Sequence, residues 1–151
     1  MIIRSTSFKD GERIPEKYTA DGQNLSPELI IEDLPRGTES LIILCEDPDA
    51  LKIVGFTWIH WARFNIMPEN SHVIIKEGEQ LGLGALNSDG NISYDGPCPP
   101  ARSGIHNYYF YIIALDKVLN LEEGAKPEEL KKEFQAHIIE AGEIRGVYSR
   151  D

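Results

Sequence analysis

The chain has 151 residues, the length of one domain and enough to bury a substantial core. Fifteen basic against twenty-five acidic side chains give a formal charge of −10, which disfavours a sequence-independent grip on nucleic acid or an anionic membrane and leaves a small molecule or another protein as partner. No apolar run approaches the roughly 20 residues that span a bilayer, and the opening Met-Ile-Ile-Arg-Ser lacks a signal-peptide layout, so a cytoplasmic protein without membrane insertion is expected.

From Met1 to Pro35 the pattern is punctuation: Asp10-Gly11, Ile14-Pro15, Asp21-Gly22, Ser26-Pro27 and Leu34-Pro35 interrupt short apolar pieces such as Leu29-Ile30-Ile31. Turn signals at this spacing predict short strands of an antiparallel sheet system. Ser40 to Cys45 is a continuous apolar run of strand length, the pattern of a strand covered on both faces. It ends in Glu46-Asp47-Pro48-Asp49. Such a cluster reads either as a solvated turn or as a set that points Asp47 into a pocket, where it would orient a histidine.

Phe56 to Ile66 is the next predicted strand. A period of two puts Phe56, Trp58, His60, Ala62 and Phe64 on one face and Thr57, Ile59, Trp61, Arg63 and Asn65 on the other. His60 on an aromatic face is commonly a packed core residue, and the competing reading is a ligand contact. Gly82 and Gly84 read as loop, because the strand before and helix after that a dinucleotide fingerprint needs are missing.

The stretch from Tyr94 to Phe110 is the centre of the chain. Gly96-Pro97-Cys98-Pro99-Pro100 cannot be helical, since each proline ring fixes φ and removes a donor. It predicts a stiff loop, suited to holding backbone groups on a ligand with little ordering entropy to lose. His106, Tyr108, Phe110 and Ile112 then share one face of a strand that opens beside this loop. From Pro127, with Glu128 and Glu129 at the positive end of the dipole and Leu130, Phe134, Ile138 and Ala141 at helical spacing, an amphipathic helix of about 18 residues is predicted, stopping at Gly146.

Two cysteines, Cys45 and Cys98, are too few for a disulfide framework and too isolated for a four-ligand zinc site, so free thiols are expected. No cofactor motif is present, and the chain is not expected to be an enzyme. Two enzymatic alternatives stand beside that reading. Cys98 beside a histidine is a candidate nucleophile, although no helix N-terminus is evident to activate it. His60, His106 and Asp47 could together form a two-histidine, one-carboxylate metal site.

Taken in order and spacing, Asp47-Pro48-Asp49, Trp58-Ile59-His60, Tyr94-Asp95-Gly96-Pro97-Cys98-Pro99-Pro100 and Gly104-Ile105-His106-Asn107-Tyr108 resemble the phosphatidylethanolamine-binding protein family, also called the Raf kinase inhibitor protein family, in its compact bacterial and archaeal branch. The resemblance covers nearly the whole chain, from the Phe8-Lys9-Asp10-Gly11 piece to Gly146-Val147-Tyr148. It implies a single mainly β domain over residues 1–151, with a large antiparallel sheet packed on a smaller one and peripheral helices. It also implies a small pocket for phosphate-like or carboxylate anions, phospholipid headgroups among them, with Asp47, Asp49, Trp58, His60, Gly96, Pro97, His106 and Tyr108 at or beside it. As partners it admits a kinase or serine peptidase that the protein modulates, and a second copy in a homodimer. Two positions depart from the family pattern: Asn107 stands where arginine is common, and Leu51 where proline is, with Arg102 a candidate to supply the missing charge. His60 and His106 are the expected anion donors, helped by amides near Gly96 and the Tyr108 hydroxyl. Asp47 would favour the charged form of one imidazole, so anion affinity is expected to fall as pH rises through the histidine range.

Overall fold

The apolar pieces of the first third become two short strands separated by an irregular stretch. In the computed structural model, which describes residues 1–151, β1 spans Ile2–Arg4 and β2 spans Leu29–Glu32, with one 3-10 turn at Glu16–Tyr18 between them. Then follow β3 (Ser40–Asp47), a single helical turn α1 (Leu51–Val54), β4 (Trp58–Ile66), β5 (Val73–Ile75), β6 (Leu83–Gly84), β7 (His106–Leu115), α2 (Pro127–Phe134) and β8 (Ile138–Tyr148). All strand pairings are antiparallel. They make a three-stranded sheet in the order β1-β2-β5 and a five-stranded sheet in the order β6-β4-β3-β7-β8.

The smaller sheet packs on the larger through Leu29, Ile31 and Ile75 against Leu41, Ile43, Cys45, Phe110 and Ile112. On the far face of the larger sheet, Ile42, Ala62, Phe64 and Leu115 meet Leu130 and Phe134 of α2. This is why β3 shows no alternation: its odd and even residues enter different cores. Leu41, Ile42 and Ile43 are all fully buried, and truncating any one to alanine would cost about 2–5 kcal/mol.

Two local expectations are corrected. The helix beginning at Pro127 ends at Phe134, and the residues from Ile138 to Tyr148 form β8, which runs along the whole of β7. Leu130 and Phe134 are buried as the helical pattern requires, whereas Ile138 and Ala141 belong to the strand. The ladder offered by β7 overrides the local helical spacing, and Gly146 is not a helix stop. A Cβ there would collide with the Ile14 side chain, so glycine lets the first third of the chain pack against the strand.

The second correction concerns the faces of β4. Asp47 lies opposite Trp58 and Glu46 opposite Ile59, but Cys45 lies opposite Trp61, so His60 is an extra residue on β4. This bulge breaks the period of two. It turns both His60 and Trp61 to the side facing the smaller sheet, and sends Ala62 and Phe64 to the α2 side instead. A second shift, near Asn65 at φ 54°, returns Ile66 to the first core. Phe56 lies outside the strand and stacks on Trp58 at 5.5 Å.

Candidate functional site

Antiparallel pairing brings the last residue of β3, Asp47, and the first residues of β4 and β7, Trp58 and His106, to one end of the larger sheet. The segment carrying α1 and the proline loop fold over that end and enclose a cavity of about 240 Å³. Of the residues expected at the site, Asp47, Trp58, His60, Gly96, His106 and Tyr108 line this cavity. Asp49 and Pro97 do not. Asp49 Oδ2 accepts from the Asn107 amide at 2.7 Å and from Asn107 Nδ2 at 3.0 Å. Burial of the Asp49 carboxyl works against ionisation, but these hydrogen bonds outweigh it and hold the group below its ordinary range. The Pro97 carbonyl accepts from the Ala20 amide at 3.0 Å. Both residues shape the walls from behind.

The stiffness expected of the proline loop has identifiable anchors. Gly96 N donates to Asn24 Oδ1 at 2.7 Å, the Tyr94 hydroxyl donates to the Tyr18 carbonyl at 2.6 Å, and Asp95 N donates to the His60 carbonyl at 3.0 Å. A Cβ at Gly96 would collide with the Tyr18 carbonyl oxygen. The early Asp21-Gly22 and Asn24 turns therefore act as a brace, with Asn24 itself in the left-handed region at φ 58°.

Each polar group on the wall can be followed to its partners. His60 Nδ1 donates to the Asp95 carbonyl at 2.8 Å, and its Nε2 makes no hydrogen bond within the protein. Burial holds the His60 imidazole below its ordinary range, so the ring is neutral at pH 7, its Nδ1 carries the proton and its Nε2 keeps a lone pair. His106 is engaged at both nitrogens: Nδ1 donates to Asp47 Oδ2 at 2.7 Å, and Nε2 lies 2.9 Å from Ser103 Oγ. Asp47 Oδ1 accepts from the Asp49 amide at 2.9 Å, so the buried carboxylate is paired at both oxygens. Tyr108 lies between the two histidine rings, edge-on to His60 at 5.2 Å and stacked with His106 at 6.4 Å. Its hydroxyl is fully buried and has no hydrogen-bond partner in the protein. Burial pushes that phenol far above its ordinary range and keeps the O–H intact.

Several contributors were not singled out in the sequence. Asp89 lines the cavity from a loop organised by Asn87, whose Oδ1 accepts from the Asp89 and Asn91 amides and whose Nδ2 donates to Asp95 Oδ2. Ala50, Ile53 and Val54 add an apolar wall from the α1 segment, and Cys98, Pro99 and Pro100 of the loop already expected complete the lining. Cys98 is exposed and Cys45 buried, and both are free thiols. The guanidinium that reaches Asn107 is that of Arg145 on β8, at 3.1 Å from Oδ1, and not that of Arg102. No group of three or more histidine, cysteine, aspartate or glutamate side chains is placed to hold a metal ion.

A family model described as phosphatidylethanolamine-binding protein matches residues 4–149. Among curated relatives, a UPF0098 protein of Chlamydia trachomatis is 41% identical over 154 residues and aligns across 100% of both chains. A UPF0098 protein of Methanothermobacter thermautotrophicus is 38% identical, with 99% of each chain covered. Of solved structures, a Chlamydia trachomatis protein described as a phosphatidylethanolamine-binding protein homologue superposes with a TM-score of 0.88 at 40% identity, over 99% of this chain and 97% of that one. YbcL of E. coli, described as a member of the mammalian family of the same name, matches with a TM-score of 0.88 at 26% identity, over 99% and 98%.

Proposed function

This chain belongs to the phosphatidylethanolamine-binding protein family, and on that premise we propose that its cavity binds a small anion, a phosphoryl or carboxylate group of the size of a lipid headgroup. The observation that carries the reading is the Tyr108 hydroxyl, a buried donor with no protein partner on a residue that lines a 240 Å³ cavity. Buried polar groups are almost always satisfied, so a lone donor on a cavity-lining residue points to an acceptor that the protein does not supply. His60 Nε2 is the complementary group. A singly protonated phosphoryl group offers both halves, an O–H for Nε2 and an O⁻ for the tyrosine; a fully ionised anion instead requires His60 to take up a proton. Asp47 turns both oxygens to protein donors, Oδ2 to His106 and Oδ1 to the Asp49 amide, which stabilise its charge. Asp89, the other carboxylate on the lining, suits an ammonium group on the same ligand. Binding of this kind asks for no bond to be made or broken in the anion.

The test is an NMR titration with inorganic phosphate and, in parallel, with sulfate, whose charge is fixed from about pH 5 to 8. Resonances of His60 and Tyr108 should shift together, and sulfate affinity should fall as pH rises. Affinity that is flat or rising with pH refutes the role given to His60.

A second reading, modulation of a kinase or serine peptidase, is favoured by one feature. Leu51, Ile53, Val54 and Phe56 stand exposed beside the cavity mouth, apolar surface that the fold itself does not use. Capture of a kinase or peptidase from cell extract by the wild type and its loss with Ile53→Glu would support it; equal capture by both would remove this surface from the contact.

A further inference from the structure

The geometry points to a further activity: Asp47, His106 and Ser103 form a relay that makes the Ser103 hydroxyl a nucleophile for acyl transfer from small uncharged esters entering the cavity. This goes beyond anion binding and gives a task to Ser103, which the binding reading leaves without one. Ser103 Oγ lies 2.9 Å from His106 Nε2, and His106 Nδ1 lies 2.7 Å from Asp47 Oδ2. An alcohol, an imidazole and a carboxylate in that order, at hydrogen-bond distance, are recognised by geometry and roles, whatever fold carries them. Asp47 and His106 are buried, and the second oxygen of Asp47 is tied to the Asp49 amide, so the imidazole is held in one orientation. Ser103 itself is exposed, in a turn whose neighbours Arg102 and Gly104 both adopt left-handed φ, at 64° and 85°.

Its hydroxyl bridges His106 and the Pro100 carbonyl, two groups on the cavity wall, which places the nucleophile at the rim. Pro100 O, at 2.7 Å, competes for the hydroxyl proton. That carbonyl also accepts from the Ser103 amide at 3.2 Å, so the hydroxyl can turn to Nε2 without orphaning it. In the acyl step Ser103 Oγ bonds to the ester carbonyl carbon, its proton passes to His106 Nε2, and the carbonyl π pair moves onto oxygen. On the same face of β7 as His106, the unpartnered Tyr108 hydroxyl is the donor assigned to that developing oxyanion. Collapse breaks the carbon–oxygen bond to the alcohol, which leaves with the proton from Nε2. Water then releases the acyl group by the same route as a carboxylic acid, and Ser103 is restored. The product is a carboxylate, one of the anions assigned to the cavity above.

The experiment uses the full chain with a short-chain alkyl fluorophosphonate, which bonds phosphorus to an activated serine as fluoride leaves, and with p-nitrophenyl acetate as ester. The expected results are an adduct mapped by mass spectrometry to Ser103, its absence in Ser103→Ala, and ester hydrolysis reduced about 100-fold or more in that variant. Asp47 is a positioning residue here, so Asp47→Asn should lower kcat while KM is kept. Because Ser103 is exposed, its replacement leaves the fold intact. A wild-type protein with no adduct on Ser103, or a Ser103→Ala variant that hydrolyses the ester at the wild-type rate, overturns the proposal. Phosphate titration of the same sample separates the two readings: binding without an adduct sinks only the acyl transfer, and an adduct without binding sinks only the anion site.

Discussion

Replacing Tyr108 by phenylalanine removes one oxygen from a ring that is otherwise held by its neighbours. In the unliganded protein that oxygen makes no protein hydrogen bond, and the ring contacts with His60 at 5.2 Å and His106 at 6.4 Å do not depend on it. The change should therefore leave stability within about 0.5 kcal/mol, or raise it by up to about 1 kcal/mol as a buried polar group is removed. Affinity should respond in the opposite direction. A hydrogen bond to a charged group contributes about 1.5–3 kcal/mol, which is about 10- to 100-fold in Kd. Urea unfolding without ligand measures the first quantity, and calorimetric titration with phosphate the second. A loss of stability above about 1.5 kcal/mol would mean the hydroxyl has a structural partner. Unchanged phosphate affinity would mean that no ligand acceptor reaches it, and the binding proposal would fail with it.

Three further outcomes follow from the surroundings. Gly96→Ala drives a Cβ into the Tyr18 carbonyl, so it should destabilise by about 1–3 kcal/mol, read as a lowered Tm; an unchanged Tm would show that the loop yields there. Arg63 is buried and donates to the carbonyls of Leu81, Ile92, Gln80 and Gly82. Arg63→Met leaves those acceptors without the donor, so a cost of at least about 3 kcal/mol is expected in urea unfolding, and a smaller one would show that they find new partners. Burial lowers the His60 pKa below the 6.5 of a free imidazole, so the unfolded chain takes up that proton first as pH falls. Its contribution to stability is complete above about pH 6.5 and is lost as pH drops toward the folded-state pKa. His60→Asn should accordingly flatten the acid limb of the stability profile, and an unaltered slope would contradict the assignment.

Much of the architecture is legible in the residues. The unalternating Ser40–Cys45 run, the alternating strand from His106 and the prolines after Gly96 describe a central strand, its neighbour and a stiff loop, because burial and φ restriction act locally. What misled was equally local. The helical spacing of Leu130, Phe134, Ile138 and Ala141 is real in the sequence, yet only its first half is helix, since β7 supplies backbone partners for the rest. The period of two through His60 fails at one bulge. Without that extra residue His60 and Trp61 could not both turn to the side of the cavity and inner core, and a bulge leaves no mark that periodicity can read. Ser103, Asn24 and Asn87 had no role assigned from the sequence for a related reason: their roles lie in the partners they reach, not in a pattern.

Short antiparallel strands and the rigid proline corner are readable from the chain, because alternation and proline chemistry are properties of neighbouring residues, while the two packed sheets and the residues expected at one pocket came from the family resemblance. Tertiary structure alone decided which of those residues face the cavity, that Asp49 and Pro97 stand behind its wall, that both nitrogens of His106 are engaged, and that Tyr108 is left with an unused donor. Those outcomes depend on register and on contacts between distant segments, where a shift of one residue exchanges the two faces of a strand.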